Sequence, residues 1–249
     1  APQTDAIFRS VKDNFISPLI AAFKIEAINQ DSTALVIKVN DIYDGTETSI
    51  NNVFTNINLG TSAIKNLSRI LSIKSFPNNV VATSELTTKV TEGTTSVYVT
   101  VEVSSSILLL PEKPMTGRFD NQKVGYFTNP LLSFSDAQQG SDKKHYITRW
   151  RMEPKPEDRE AYLKGQTVEP IKPIVFYIDN STPYQWRSYI KKGIEDWQTA
   201  FEKAGFKNAI IAKEITDSMH VDMDDVNYSV LTYAASEKKN AMGPSLLDP

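Results

Sequence analysis

Cysteine is absent from the 249-residue chain. Its absence excludes disulfides, thiol nucleophiles and every zinc site built on thiolates, while leaving the cellular compartment open. Histidine is nearly absent as well: His145 and His220 are the two the chain has. A metallopeptidase helix needs imidazoles at i and i+4, so that both nitrogens face one ion, with a glutamate between them as base. Neither histidine has a partner four residues away, and neither is followed by Glu. That zinc helix is therefore not in this chain. The ten glycines contain no G-x-G pair, which removes the dinucleotide fingerprint and the phosphate loop. There is no G-x-S-x-G elbow. Nothing nominates the members of a Ser-His-Asp triad, and paired-carboxylate hydrolysis is equally unconstrained. The longest apolar runs, such as residues 107–110, fall far short of a membrane span. Basic charge is in deficit too, with 27 Lys and Arg against 30 Asp and Glu and a net charge of −3. The densest basic clusters are the pairs Lys143-Lys144 and Lys191-Lys192. Nucleic acid and anionic lipid are thus poor default partners. No basic-then-apolar leader opens the chain, which starts Ala1-Pro2-Gln3 without Met. Prior removal of an N-terminal piece is the expectation.

What is present has globular composition, with 40% hydrophobic and 23% charged residues. Residues 18–110 are rich in Ser, Thr, Asn and Val and read as strands. Val97, Val99, Val101 and Val103 alternate with Tyr98, Thr100, Glu102 and Ser104, the period of a half-buried strand. Residues 80–90 form an extended partner, joined through Thr91-Glu92-Gly93-Thr94 as a hairpin turn. An earlier pair is expected from 19–28 and 34–39, across Asn29-Gln30-Asp31-Ser32. Short helices are expected over 5–15 and 62–70. Prolines at 111, 114, 130, 154, 156 and 170 then interrupt regular structure, with an extended stretch over 144–152.

From Lys172 the pattern becomes αβ. Residues 173–178 (Pro-Ile-Val-Phe-Tyr-Ile) read as a strand buried on both faces. Ser181-Thr182-Pro183 starts a helix, and Trp186, Ile190, Ile194, Trp197, Phe201 and Ala204 recur as one apolar stripe along it. Gly205 closes it as a left-handed cap. Strands follow over 208–215 and 226–234. Strand, helix and strand make a crossover unit, right-handed if the strands are parallel in one sheet.

One stretch invites a metal. If His220-Val221-Asp222-Met223-Asp224 were extended, His220, Asp222 and Asp224 would lie on one side as a hard-ligand cluster. The competing reading, which we prefer, is a solvated acidic loop leading into the next strand. The alternation His145-Tyr146-Ile147-Thr148-Arg149-Trp150-Arg151 could stack on bases or sugars. A strand with Tyr146, Thr148 and Trp150 on one face is the simpler account.

Leu110-Pro111-Glu112-Lys113-Pro114-Met115, then Arg118, Asp120 and Val124-Gly125-Tyr126-Phe127, resembles the LPxxPM…R…D…VGYF signature of a bacterial family of large zinc-dependent metallopeptidases related to metzincins. Tyr146-Ile147-Thr148-Arg149-Trp150-Arg151 is similar to the Y-I-x-R-W-R that follows in that family. Residues 190–206, including Trp197, with 225–229 around Tyr228 and 241–245 around Met242 and Gly243, resemble the opening of its catalytic domain. The likeness is strong over 107–249 and looser before it. It implies an exported hydrolase, periplasmic, cell-surface or extracellular. Zinc would be held by an H-E-x-x-H-x-x-G-x-x-H helix beyond this chain, with the glutamate activating the attacking water. No catalytic residue can be carried over, so this piece alone is expected to be inactive and without a cofactor of its own. The fold class expected is α+β. A mainly antiparallel β-rich N-terminal domain (1–112), accessory or propeptide-like, is followed by a connector (113–170). The first half of the catalytic domain (171–249), an incomplete metzincin-like upper subdomain, completes the chain. Its partners would be the missing part of that domain and a peptide or protein substrate, the latter paired on an exposed edge strand. Arg118, Asp120 and Arg149 are candidates for an ion-pair network joining the domains. An uncovered helix face would favour self-association. The alternative function is a self-contained β-rich binding or adhesion module.

Overall fold

A computed structural model gives the fold and describes residues 6–48, 50, 52–57, 59, 62–138, 140–237, 240–245 and 247. The fold is α+β, and the chain divides into two compact units, Ser10–Leu109 and Ala1–Arg9 with Leu110–Pro249. Residues 113–170, read from sequence as a connector, lie in the second unit. Helix α1 (Ala6–Asn14) occupies the span expected for a first helix; Asp5 lies outside the described residues.

In Ser10–Leu109, strands β1 (Ile25–Ile28) and β2 (Leu35–Ile37) form the expected antiparallel pair, with a shorter ladder than the apolar spans suggested. The Asn29 side chain closes the turn, accepting the Ala34 amide at 2.8 Å and donating to the Thr33 hydroxyl at 2.9 Å. Two single-turn helices follow, α2 (Asn40–Tyr43) and α3 (Val53–Asn56); Asn52 caps the latter by accepting the Thr55 amide. The helix expected over 62–70 does not form. Only a 3₁₀ turn, Lys65–Leu67, appears before strand β3 (Arg69–Ser75). Ile64, Leu67, Ile70 and Ile73 recur every three residues, a spacing that suits a helical turn, but β3 gains a ladder to β4 (Asn79–Glu92) and the Arg69–Glu85 ion pair at 2.8 Å. Long-range pairing overrides local preference.

β4 pairs in unbroken register with β5 (Thr95–Leu108), from Asn79↔Leu108 to Glu92↔Thr95. The loop is the two residues Gly93-Thr94, tighter than the four-residue turn expected, and Gly93 takes the positive φ of +60° that a two-residue hairpin requires. Val99, Val101 and Val103 are half-buried and their alternating neighbours exposed, as the valine period implied, but Val97, the first of the four, is 52% exposed. They share a face with buried Ala82, Ser84, Leu86 and Thr88. The other face is a ladder of hydroxyl pairs: Thr87 with Thr100 (2.9 Å), Thr91 with Ser96 (2.9 Å) and Thr83 with Ser104 (3.4 Å).

In the second unit, β6 (Thr128–Ser133) and β7 (Asp142–Ile147) are an antiparallel hairpin. After α4 (Arg159–Leu163) come β8 (Ile174–Ile178), α5 (Tyr184–Glu195), α6 (Gln198–Lys203), β9 (Ile210–Glu214) and β10 (Ser229–Leu231). The last three strands are parallel in the order β10-β8-β9, and β8 is central with Ile174 and Ile178 buried. The single helix expected from Thr182 to Gly205 is broken at Asp196–Trp197, where Trp197 and Ala200 bond three residues back. The inward row is Arg187, Ile190, Ile194, Gln198 and Phe201, whereas Trp186 and Trp197 are 46% and 65% exposed. The apolar stripe therefore splits. The inward Gln198 accepts the amides of Ala209 (2.9 Å) and Ile210 (3.3 Å) and donates to the Phe206 carbonyl, pinning α6 to the start of β9. Gly205 caps the helix as expected: its amide bonds Glu202 and the Phe206 amide bonds Phe201, both orphan carbonyls of the last turn. Val168, Phe206 and Ala209 form the buried core here, with Met152, Ala161, Tyr162 and Phe201 around it.

Candidate functional site

The two motifs that carry the family resemblance fold against each other. Residues 116–121 run antiparallel to β7: the Ile147 amide bonds Arg118 and the Asp120 amide bonds His145, both at 2.9 Å, with Phe119 opposite Tyr146. The Phe119 and Tyr146 rings lie 5.0 Å apart. Gly117 sits beneath Tyr146, where a Cβ would come within 2.5 Å of the ring, so only glycine fits. Arg149 donates to the Thr116 carbonyl (2.8 Å) and Arg151 to the Lys113 carbonyl (3.1 Å). Thr148 bonds the Phe127 carbonyl through its amide and its hydroxyl. Trp150 stands edge-on to Phe176 of β8 at 6.3 Å.

Arg118, Asp120 and Arg149 do not form the expected ion-pair network. Among the described residues no salt bridge links them; Arg149 spends a donor on a backbone carbonyl, and Arg151 pairs with Glu153 at 3.1 Å. Burial pushes the Arg149 pKa down, the positive charge of Arg118 pushes it further, and Glu153 opposes both. Met115 is half-buried, and Tyr126 and Phe127 are exposed, Phe127 at 88%. Gly125 and Gly243 have open space where a Cβ would go, and Met242 is exposed. Tyr228 stacks edge-on against Tyr177 at 5.3 Å.

A second polar cluster lies at the carboxyl end of β8. Arg187 donates to the carbonyls of Thr182 (2.9 Å) and Asn180 (3.0 Å) and pairs with Glu214 at the end of β9 (3.3 Å). The Ser181 hydroxyl donates to Asp179, and that bond, with the Ser181 and Asn180 amides and the Arg187 charge, holds the Asp179 carboxyl below the usual carboxylate range against the effect of burial. Asp179 also takes the Asn180 and Ser181 amides of the strand-to-helix turn, the Ser181 hydroxyl accepts the Tyr233 amide (3.4 Å), and the buried Thr182 hydroxyl has no hydrogen-bond partner.

His220, Asp222 and Asp224 are not on an extended strand. They lie on a loop whose turns consume them: Asp222 accepts the Asp224 amide (3.0 Å), and Asp225 accepts the Asn227 amide and side chain (2.9 and 2.7 Å). It is a loop, as preferred, but not a solvated one: Asp222 and Asp224 are half-buried and Asp225 is 9% exposed. Among the described residues no three His, Cys, Asp or Glu side chains are placed to hold a metal. Among them, too, no helix is long and apolar enough to cross a membrane.

Sequence reasoning missed Gly117, Thr116 and Lys113 as seats for the second motif, and Gln198 and Arg187 as inward polar anchors. The signal for the first group was present: glycine at 117 sits two residues before an aromatic and matches no turn pattern. A family model described as a domain of unknown function, DUF5117, matches residues 1–155. No curated protein and no solved structure matches the chain.

Proposed function

The chain belongs to the DUF5117 family, and from that premise we propose that it is the front of an exported zinc-dependent metallopeptidase. In this reading a β-rich accessory unit precedes the opening of a metzincin-like catalytic domain. The observation that carries it is the parallel sheet β10-β8-β9 with α5 and α6 crossing between β8 and β9. A sheet crossed by helix in this way is what the resemblance leads one to expect at the opening of such a catalytic domain, and it comes after the paired motifs in the expected order. Zinc and the water-activating glutamate belong to a helix carried by further polypeptide. The residues described here build the wall beside it. The partners are that remaining half-domain and a peptide or protein substrate.

The test is to read the gene past the codon for Pro249 and express both lengths. The longer chain is expected to retain zinc and cleave a peptide pool, and the 249-residue chain to do neither. A stop codon with no H-E-x-x-H helix beyond would sink the reading and leave a β-rich binding module. So would stoichiometric zinc and peptide hydrolysis in the 249-residue chain.

A further inference from the structure

Every second position over residues 143–151 is Lys143, His145, Ile147, Arg149 or Arg151. The positions between them are spent on packing. Lys144 lies over the Phe119 ring at 5.4 Å, Tyr146 covers Gly117, and Trp150 meets Phe176. Side chains alternate in face along a strand, so the basic row lies on the side away from Phe119. The register puts Arg118 directly opposite Ile147, diagonal to Arg149 and on the same face. Asp120, opposite His145, is the acidic residue of this track on that face. Arg149 is held in place by Thr116, whereas the side chains of Arg118 and Lys143 have no hydrogen-bond or ion-pair partner among the described residues.

We propose that Arg118 and Arg149 form a carboxylate-binding subsite, extended by Lys143, that takes an acidic stretch of polypeptide. Burial first, and then the Arg118 charge, holds the Arg149 pKa down, with Glu153 opposing both; an incoming carboxylate relieves the repulsion between the two guanidiniums and takes a forked pair of donors. From Lys143 on β7 to Arg149, two residues past its end, an extended chain spans about 20 Å, the length of six residues. Acidic side chains of a bound peptide reach Lys143 at one end of this span and the Arg118 and Arg149 pair at the other. A single-stranded nucleic acid needs free aromatic faces to stack on. Tyr146 packs on Gly117 and Phe119, which leaves Trp150, 55% exposed, as a single such face where a run of bases needs several. The subsite stands whether or not the peptidase reading does.

The experiment is fluorescence anisotropy of labelled octaglutamate against the full 249-residue chain at low ionic strength. R118Q removes a side chain that holds nothing in place, so folding is retained, and binding is expected to weaken about threefold or more. R149Q is expected to weaken it similarly, with near-ultraviolet circular dichroism as the check on folding. K191Q, an exposed charge on α5, is the control and leaves binding unchanged. Unaltered binding in R118Q, or an equal loss in K191Q, overturns the proposal. Displacement of the peptide by inorganic phosphate at matched charge concentration identifies a small-anion site and overturns the peptide assignment.

Discussion

Replacing Gly205 and Gly193 by alanine, one at a time, applies the same chemical change to two glycines of one helical stretch and should move stability in opposite directions. Gly205 has φ of +91°, where an L-residue costs about 1–2 kcal/mol. A Cβ there would also lie 2.7 Å from Tyr162 Cε2. That ring cannot step aside freely, because it packs on Phe206 with centroids 4.9 Å apart, and overpacking of this kind costs about 1–3 kcal/mol. Alanine restricts the unfolded chain and returns about 0.4–1 kcal/mol. The net for Gly205→Ala is a destabilisation of roughly 1–5 kcal/mol. Gly193 lies inside α5 with ordinary φ and nothing within 4 Å of a Cβ, so Gly193→Ala should stabilise by about 0.5–1 kcal/mol. The assay is urea unfolding followed by tryptophan fluorescence. The three tryptophans, Trp150, Trp186 and Trp197, all lie in the Leu110–Pro249 part of the chain, so the signal reports that unit alone. Midpoints moving the same way in both variants, or an unmoved midpoint for Gly205→Ala, would refute the Gly205 cap and its contact with Tyr162.

Gln198→Leu keeps the volume but leaves the amide of Ala209, itself 0% exposed, without an acceptor; a loss of about 1–3 kcal/mol is expected in the same urea assay. Leu86→Ala should cost about 2–5 kcal/mol in the Ser10–Leu109 unit, since Leu86 is 3% exposed. It should be read as faster hydrogen exchange across β4 with tryptophan fluorescence unchanged. The Asp136 carboxylate accepts the amides of Ile7 (2.7 Å) and Ala6 (2.8 Å), which lower its pKa. A depressed folded pKa gives stabilisation that is present above the ordinary carboxylate value of about 4 and lost as pH falls through the folded one. Protection of the Ala6 and Ile7 amides should therefore fade on acidification in the wild type and show no such step in Asp136→Asn.

The elements legible in the sequence were those whose own residues determine them. The β4–β5 hairpin announced itself through period-two valines and Gly93, and the end of α6 through Gly205, because alternation and positive φ are local requirements. What escaped depends on residues far apart. β3 exists because Arg69 to Ser75 finds β4, and nothing within 62–70 distinguishes that from a helical turn. β6 was hidden by Pro130, which breaks most strands but is tolerated at an edge, where the missing N–H faces away from the partner. The apolar stripe failed at Trp197 because a run of hydrophobic residues at helical spacing cannot reveal that a glutamine one position later is needed to bond Ala209 and Ile210.

The candidate site shows the same limit from another side. Its residues were readable as two separate signatures, and their chemistry looked like a search for partners: three charges awaiting a network, an aromatic stretch awaiting a ligand. Once the strands pair, most of that chemistry is accounted for within the fold. Gly117 is small because Tyr146 covers it, Arg149 and Arg151 reach the carbonyls of Thr116 and Lys113, and Trp150 seats on Phe176. A signature satisfied by its own packing specifies a scaffold, so its presence argues for ancestry and is silent on catalysis. What the packing leaves over is informative instead. Arg118 and Lys143 are cations without a hydrogen-bond or ion-pair partner among the described residues, and the Arg118 charge bears on Arg149 with Glu153 opposing it.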